Sequence, residues 1–222
     1  MKVTSNSFES CQFWQDLTQQ QQQLLHKSAQ VHRIAKGEPV GMQQECTGMI
    51  FVTQGELRVY LLSEDGREVT LYRLYAGDVC VLSAACILKE ITFQVQIDAS
   101  QESEIVLVGS NVVHHIWEEN LKFRCFVYEK AIERFSDVMW TIQQILFMSA
   151  DKRLATFLLE ESSKTGTQKL ELTQEQIAKY MGSAREVVSR LLKYFAQEKV
   201  VQLFRGGVII LDKEKLQQLA EK

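Results

Sequence analysis

The chain has 222 residues, of which 45% are apolar, 24% charged and 9% aromatic, with a single Pro. This composition is that of an ordinary folded protein and excludes disordered and collagen-like classes, and at about 150 residues per domain the length fits two modest domains. Residues 1–148 carry 12 Lys+Arg and 18 Asp+Glu, whereas residues 149–222 carry 13 and 10. The basic C-terminal part indicates a polyanionic partner for that part alone.

The longest runs without a charged residue reach 13 residues, short of the roughly 18 that a membrane helix needs. The first residues lack the apolar stretch of a secretory signal. We therefore expect a cytoplasmic protein with no membrane segment. Five Cys residues at irregular spacings do not form a disulfide framework, so reduced thiols are expected.

The first predicted element is a helix that Thr18 caps and that continues to Ala29. It contains the glutamine run 19–23, which we expect on a solvated face. Short β-branched and aromatic segments follow, at 50–52, 57–61, 69–72, 93–97 and 105–108. Turn-forming residues separate them and no helices intervene, which predicts an antiparallel barrel or sandwich over residues 31–113. His114 and His115 end the last strand-like run.

The next segment has apolar residues at alternating spacings of three and four, without Gly or Pro. The spacing predicts a long helix with a heptad seam, suited to a two-helix coiled coil between identical chains. The seam consists of Leu121, Cys125, Tyr128, Ile132, Phe135, Met139, Ile142 and Leu146. Charged residues such as Glu133 and Arg134 lie off the seam and are expected in solvent. The alternative is an amphipathic helix that packs only on its own domain.

A helix is predicted over residues 151–163, followed by two further helices joined by a glycine turn at Gly182. Thr173 to Gln176 has the form of a capping box, and Ser183 to Glu186 has the form of a second one. Two apolar segments, 200–204 and 208–211, then flank a turn that carries Arg205. Helix, turn, helix and hairpin together predict a winged helix-turn-helix.

The second helix of this motif has a polar outer face. On a 3.6-residue period the apolar side chains point inward and leave outward Arg185, Glu186, Ser189, Arg190 and Lys193. Arg can donate twice to guanine, Glu can accept from cytosine, and Ser and Lys suit bases or phosphates. The face therefore fits the major groove of DNA, and the alternative is an ordinary solvated charged face.

The stretch 172–192, LTQEQIAKYMGSAREVVSRLL, resembles the winged-helix signature of the family of the cyclic-AMP receptor protein and the fumarate-nitrate reduction regulator. The resemblance covers nearly the whole chain and implies a two-fold dimer that reads a pseudo-palindrome with half-sites about one helical turn apart. In that family the Arg-Glu and Ser-Arg pairs contact operator DNA. The expected DNA contacts here are Thr173, Gln174, Ser183, Arg185, Glu186, Ser189, Arg190, Lys193 and Arg205.

The resemblance also implies an α+β fold in three parts. Residues 1–118 would form an effector-sensing, cyclic-nucleotide-binding-like domain, a double-stranded β-helix of jelly-roll type with N-terminal helices. The Gly-Glu and Gly-Asp pairs at residues 37, 55 and 77 fall where that fold has its turns. Residues 119–148 would form the dimerisation helix and residues 149–222 the winged-helix DNA-binding domain.

The expected signal is not cyclic AMP. Relatives that bind cyclic nucleotides hold the phosphate with an Arg-Ser or Arg-Thr pair, whereas residues 79–99 here contain one cation, Lys89. An iron–sulfur cluster needs four clustered thiolates, and Cys11 has no neighbouring Cys. Haem needs an axial ligand, for which His26, His32, His114 and His115 are available, but His114 and His115 have the position of partly exposed polar residues at a strand end. Haem is therefore not expected, and neither is a metal site.

A thiol switch and an apolar small-molecule ligand remain open for the signal, as does a third interpretation in which the cysteines only fill the core. The effector or redox candidates are Cys80, Cys86, Phe93, Cys125 and Tyr128.

The predicted function is a bacterial, homodimeric transcription regulator that binds double-stranded DNA and senses a small-molecule or redox signal. RNA polymerase is a further candidate partner. The alternative is a sensing module whose winged helix contacts protein. No phosphate loop, nucleophile elbow or zinc-protease motif is present, so an enzyme is not expected.

Overall fold

The computed structural model describes residues 8, 11–40, 48–64, 66–81 and 95–221. The chain forms two compact units, one of Met1–Leu62 and Leu71–Val138, the other of Ser63–Thr70 and Met139–Lys222. No helix among the described residues is long and apolar enough to cross a membrane.

The first elements that the structure describes in full in this unit are a 3₁₀ turn, Trp14–Asp16, and helix α1, Gln19–Ser28. The predicted cap is confirmed, since Thr18 Oγ1 accepts from the Gln21 amide at 3.3 Å and Gln21 Oε1 accepts from the Thr18 amide at 3.1 Å. The expectation that the glutamine run is solvated is wrong at Gln21, which is buried. Its Oε1 also accepts from Asn120 Nδ2 at 3.0 Å, so the buried side chain links the start of α1 to Asn120.

Antiparallel sheets form the body of this unit. The strands are β1 (Gln30–Ile34), β2 (Met49–Gln54), β3 (Glu56–Leu62), β4 (Glu68–Tyr75), β5 (Val79–Cys80), β6 (Gln96–Ala99) and β7 (Ser103–Val108). They form one sheet in the order β1-β7-β2-β5 and another in the order β4-β3-β6. The predicted segment 93–97 lies partly outside the described residues. Its described part overlaps β6, which ends at Ala99, two residues later than predicted.

The turn between β2 and β3 requires glycine. Gly55 has a φ of +87°, and a Cβ there would lie 2.3 Å from Ser103 Oγ and 2.6 Å from the Glu102 carbonyl oxygen. Removing the side chain lets this turn approach the start of β7 closely. Ser103 Oγ uses the space to accept from the Glu56 amide at 3.0 Å, which ties the turn to the neighbouring strand.

Helix α2, Ser110–Glu119, follows β7 directly. The expectation that His114 and His115 end a strand is therefore wrong, because both lie on α2 and face Glu118 and Glu119 at 3.1 and 3.6 Å. The spacing of buried residues changes from that of a strand to that of a helix after Val108. Val113 and Ile116, three residues apart, are both fully buried, as expected for one face of a helix.

Helix α3, Leu121–Phe147, is the predicted long helix and has 27 residues. Asn120 precedes it, and its Oδ1 accepts from the Phe123 amide at 3.0 Å. The expectation that Arg134 is solvated is wrong, since its side chain is only 12% exposed. Its guanidinium lies 5.2 Å from the centre of the Tyr72 ring and contacts Asp137 and Asp78 at 2.8 and 3.8 Å.

The second unit packs helices around a small sheet. Its elements are α4 (Ala150–Thr165), β8 (Lys169–Leu170), α5 (Gln174–Met181), α6 (Arg185–Gln197), β9 (Val201–Phe204), β10 (Gly207–Ile210) and α7 (Lys213–Glu221). The strands are antiparallel in the order β8-β10-β9. Leu154 of α4, Leu192 and Phe195 of α6, and Leu216 of α7 meet in one buried core. The predicted helix, turn, helix and hairpin are confirmed, whereas α7 was not predicted.

Candidate nucleic-acid interface

The start of α5 is fixed by the predicted capping box. Thr173 Oγ1 accepts from the Gln176 amide at 3.2 Å, and Gln176 Oε1 accepts from the Thr173 amide at 3.0 Å. The helix ends at Gly182, which has a left-handed φ of +58°. Across this glycine the Ser183 amide donates to the Ala178 carbonyl at 2.9 Å, the bond that commonly closes a helix before a turn.

Side chains of the same unit satisfy the carbonyl groups at this turn. Thr70 Oγ1 donates to Lys179 O at 2.9 Å, Arg153 Nη1 donates to Met181 O at 3.1 Å, and Arg67 Nη2 donates to Gly182 O at 2.8 Å. Burial and the charge of Arg67 lower the pKa of Arg153 from its ordinary value. The turn between α5 and α6 is therefore held by side chains as well as by its own backbone.

The second predicted capping box is wrong. The N-cap of α6 is Ala184, which has no side-chain acceptor, and Ser183 lies one residue too early. The amides of Val187 and Val188 bond instead to the Ala184 carbonyl at 3.1 and 3.2 Å. The Ser183 amide closes α5, and α6 starts one residue later than the sequence pattern predicts.

Gly182 allows a direct test of this turn, with Gly166 as its control. Both are left-handed helix caps, but a Cβ at Gly182 would meet Val69 Cγ1 at 3.3 Å, whereas a Cβ at Gly166 would meet nothing within 4 Å. We expect Gly182→Ala and Gly166→Ala each to lose about 1–2 kcal/mol of unfolding free energy from the backbone strain. Gly182→Ala should lose more and should also weaken DNA binding. Urea unfolding and DNA titration of both variants test this, and equal losses in both measurements would contradict it.

The outer face of α6 consists of two rows of side chains spaced four residues apart. One row runs Arg185, Ser189, Lys193 and Gln197, and the other runs Glu186, Arg190 and Tyr194. Together with Gln174 from α5 they line a groove of about 530 Å³. The opposite face, which carries Val188, Leu192 and Phe195, is buried in the core.

The cations of this face are available to an external partner. Arg185, Arg190 and Lys193 are exposed, as is Arg205 at the tip of the β9–β10 hairpin. Within the part of the chain that the structure describes, none of these four forms an ion pair. Exposed, unpaired cations along one helix face and an adjacent wing outnumber the one carboxylate there, Glu186, and match the polyanionic backbone of DNA.

The structure brings most of the sequence-predicted contacts to one surface. Gln174, Arg185, Glu186, Ser189, Arg190 and Lys193 line the groove. Thr173 is exposed, with its hydroxyl engaged in the capping box, and Ser183 is half-buried beside the turn. Sequence reasoning missed Tyr194 and Gln197, which line the same groove and which the continuing spacing of four could have identified.

The effector candidates do not form one site among the described residues. Cys80 is fully buried on β5, within a core cluster that includes Tyr72. Cys125 and Tyr128 are exposed on α3. The Tyr128 ring packs edge-on against the Trp117 ring, with 6.2 Å between the ring centres. Cys86 and Phe93 lie outside the described residues, as does most of the segment where a phosphate-binding Arg would stand.

Two groups of the first unit, the buried Tyr72 and the half-buried Cys11, have raised pKa values. Burial raises the pKa of the Tyr72 hydroxyl, and the adjacent Cys80 raises it further. Burial raises the pKa of the Cys11 thiol to about 11, against a smaller opposing effect of Lys130. Cys11 is therefore protonated at neutral pH and is a poor nucleophile. Among the described residues, no group of three His, Cys, Asp or Glu residues is placed to hold a metal ion.

A helix-turn-helix with an exposed cationic face, a wing and a separate β-sheet unit defines a DNA-binding transcription regulator. Residues 152–219 match the Crp-like helix-turn-helix domain. A solved Crp/Fnr-family regulator from Eubacterium rectale is 40% identical, with a TM-score of 0.90 over 96% of this chain and 100% of that one. The nitrogen fixation regulation protein FixK of Bradyrhizobium diazoefficiens is 24% identical over 88% of this chain and 83% of its own. Electron transport regulator A of Shewanella oneidensis is 24% identical over 84% of this chain and 77% of its own.

The chain belongs to the Crp/Fnr family of bacterial transcription regulators. The α+β fold with a cyclic-nucleotide-binding-like domain and a C-terminal winged helix is confirmed, as is the prediction of a DNA-binding regulator rather than an enzyme.

Proposed function

We propose that the protein acts as a homodimer in which two α3 helices pair along the heptad seam. The observation that carries this proposal is the exposure of the seam. All eight seam residues, Leu121, Cys125, Tyr128, Ile132, Phe135, Met139, Ile142 and Leu146, are exposed on the single chain. Ile132 and Phe135 are 65% and 64% exposed, whereas Phe123, Phe126 and Val127 on another face of the same helix are buried.

Leaving such a stripe in water is unfavourable, because each apolar side chain that a partner covers contributes about 1.5–3 kcal/mol. The 3-4 spacing matches a second copy of the same helix packed knobs into holes. Two chains related by a two-fold axis then carry two recognition helices. The operator is accordingly pseudo-palindromic, with half-site centres about one helical turn apart.

In this proposal the winged helix of residues 149–222 contacts DNA through α6 and Arg205. The nine DNA contacts predicted from sequence, from Thr173 to Arg205, bind bases or phosphates of the operator. Residues 1–118 sense a small-molecule or redox signal other than cyclic AMP. Residues 119–148 form the dimer helix and transmit the signal, which is supported by the contribution of α3 to both compact units. The protein works in the cytoplasm on chromosomal DNA, together with RNA polymerase.

The test uses the full-length protein and a pool of duplexes with a randomised 30-base-pair centre, a length that covers about two half-sites and their flanks. Bound duplexes are selected with and without dithiothreitol, and the mass of the free protein is measured by sedimentation equilibrium. We expect a dimer and an enriched pseudo-palindrome whose affinity falls steeply with salt. Enrichment in only one of the two samples would assign a redox signal. A monomer, or enrichment without two-fold symmetry, would overturn the proposal.

A further inference from the structure

We infer that Tyr194 contacts the DNA backbone, with its hydroxyl donating a hydrogen bond to a phosphate oxygen at the edge of the major groove. This inference rests on the proposed binding of DNA by α6 and adds to it a contact that carries no charge.

Tyr194 belongs to the same surface as the predicted contacts. It lines the groove with Arg185 and Lys193, and it continues the row of Glu186 and Arg190 by one further turn. Its side chain is 48% exposed, although the neighbouring Phe195 is fully buried. The phenol ring is therefore accessible from solvent on the same face as the predicted DNA contacts.

The ring is anchored while the hydroxyl stays open. The Tyr194 and Phe195 ring centres are 6.0 Å apart with planes inclined at 53°, so the edge of the core supports the phenol ring. Among the described residues the hydroxyl has no hydrogen-bond partner. A supported ring with an unengaged hydroxyl loses little conformational freedom when it binds a ligand atom.

Position along α6 favours a phosphate over a base. Recognition helices present their N-terminal residues to base edges, and here that end carries Arg185 and Glu186. Tyr194 lies nine residues after Arg185, which corresponds to about 13 Å along the helix axis. The major groove is about 12 Å wide, so a residue at this distance reaches the level of the backbone. Tyrosine hydroxyls are among the groups that bond phosphate oxygens.

The neutral donor distinguishes Tyr194 from Lys193, its neighbour in the groove. Lys193 neutralises a phosphate and releases counterions, so its loss changes the salt dependence of binding. A hydroxyl that donates to a phosphate releases none. Removing it lowers affinity by the same factor at every salt concentration and on every sequence.

The experiment compares Tyr194→Phe, Lys193→Gln and the wild-type full-length protein on a duplex that the wild type has selected and on a scrambled duplex. Tyr60→Phe makes the same chemical change in the first unit and serves as control, and melting temperatures verify folding. For Tyr194→Phe we expect about ten-fold weaker binding per half-site, hence about 100-fold on a two-fold site, because one hydrogen bond to a charged phosphate oxygen is lost. The slope of log affinity against log salt stays at the wild-type value. Lys193→Gln reduces that slope by about 0.9 per half-site.

Three results would overturn the inference. Wild-type affinity in Tyr194→Phe shows that the hydroxyl makes no contact, and loss of preference at one base pair shows that it contacts a base. A change confined to the salt slope shows an effect on neighbouring cations. If the wild type selects no duplex at all, DNA recognition itself fails, and this outcome is distinct from a wild type that binds DNA without using Tyr194.

Discussion

Ile132→Glu is expected to convert the protein into a monomer and to weaken operator binding by at least about 100-fold. Ile132 lies near the middle of the seam and is 65% exposed on the single chain. In a two-fold coiled coil the same position of both chains meets across the axis, so the substitution places two carboxylates together in an apolar interface. Burying unpaired charges costs several kcal/mol, more than the side chain contributed before.

The matched control for this change is Ser136→Glu. Ser136 is an exposed residue of α3 beside the seam, at the heptad position where Glu129 already carries a carboxylate. It should stay dimeric and bind the operator as the wild type does. Sedimentation equilibrium gives the mass, and titration of a labelled operator gives the affinity. A dimeric Ile132→Glu protein would show that the stripe is covered by something other than a second α3 helix.

Arg185→Ala is expected to cost about 1–3 kcal/mol per half-site on the selected operator and to relax the preference at one base pair. Arg185 is the first residue of α6 and is exposed at the end of the helix that enters the groove first. With two half-sites the losses combine, which makes this the largest expected effect of a single side chain on the DNA-binding face.

Arg33→Ala is its control, because Arg33 is also exposed but belongs to β1 and pairs with Glu104 at 3.3 Å. Competition against operators that vary at each position separates a base contact from a phosphate contact. If Arg185→Ala weakens binding to all sequences equally, the side chain binds only a phosphate.

Local spacing predicted much of this protein because the elements involved depend on near neighbours along the chain. The capping box of Thr173 and Gln176 spans four residues, and the seam of α3 repeats every seven, so both could be read directly. The heptad spacing also separated the face of α3 that stays exposed from the face that carries Phe123 and Phe126. The charged outer face of α6 was predicted for the same reason.

The features that the sequence did not predict depend on contacts between residues far apart in the chain or on where a tight turn ends one helix and begins the next. The Arg134 side chain is largely buried because its guanidinium packs on the Tyr72 ring and pairs with Asp78, both more than 50 residues earlier in the chain. The Ser183 cap fails because Ser183 belongs to the turn that closes α5, which leaves Ala184 as the N-cap of α6. Tyr194 and Gln197 were missed for a different reason, because the spacing of four along the outer face of α6 was not continued beyond Lys193.

Asn120 has a consequence for the order in which the chain folds. Its Nδ2 donates to the Asp16 carbonyl at 2.9 Å and to Gln21 Oε1 at 3.0 Å, while its Oδ1 caps the first turn of α3. The cap of α3 is a local contact that can form with the helix, whereas the two Nδ2 bonds form only when a loop of about 100 residues closes. During synthesis the segment that contains Asp16 and Gln21 emerges first. Its hydrogen bonds to Asn120 form only after Asn120 has been synthesised, so the contacts between this early segment and the start of α3 form late in folding.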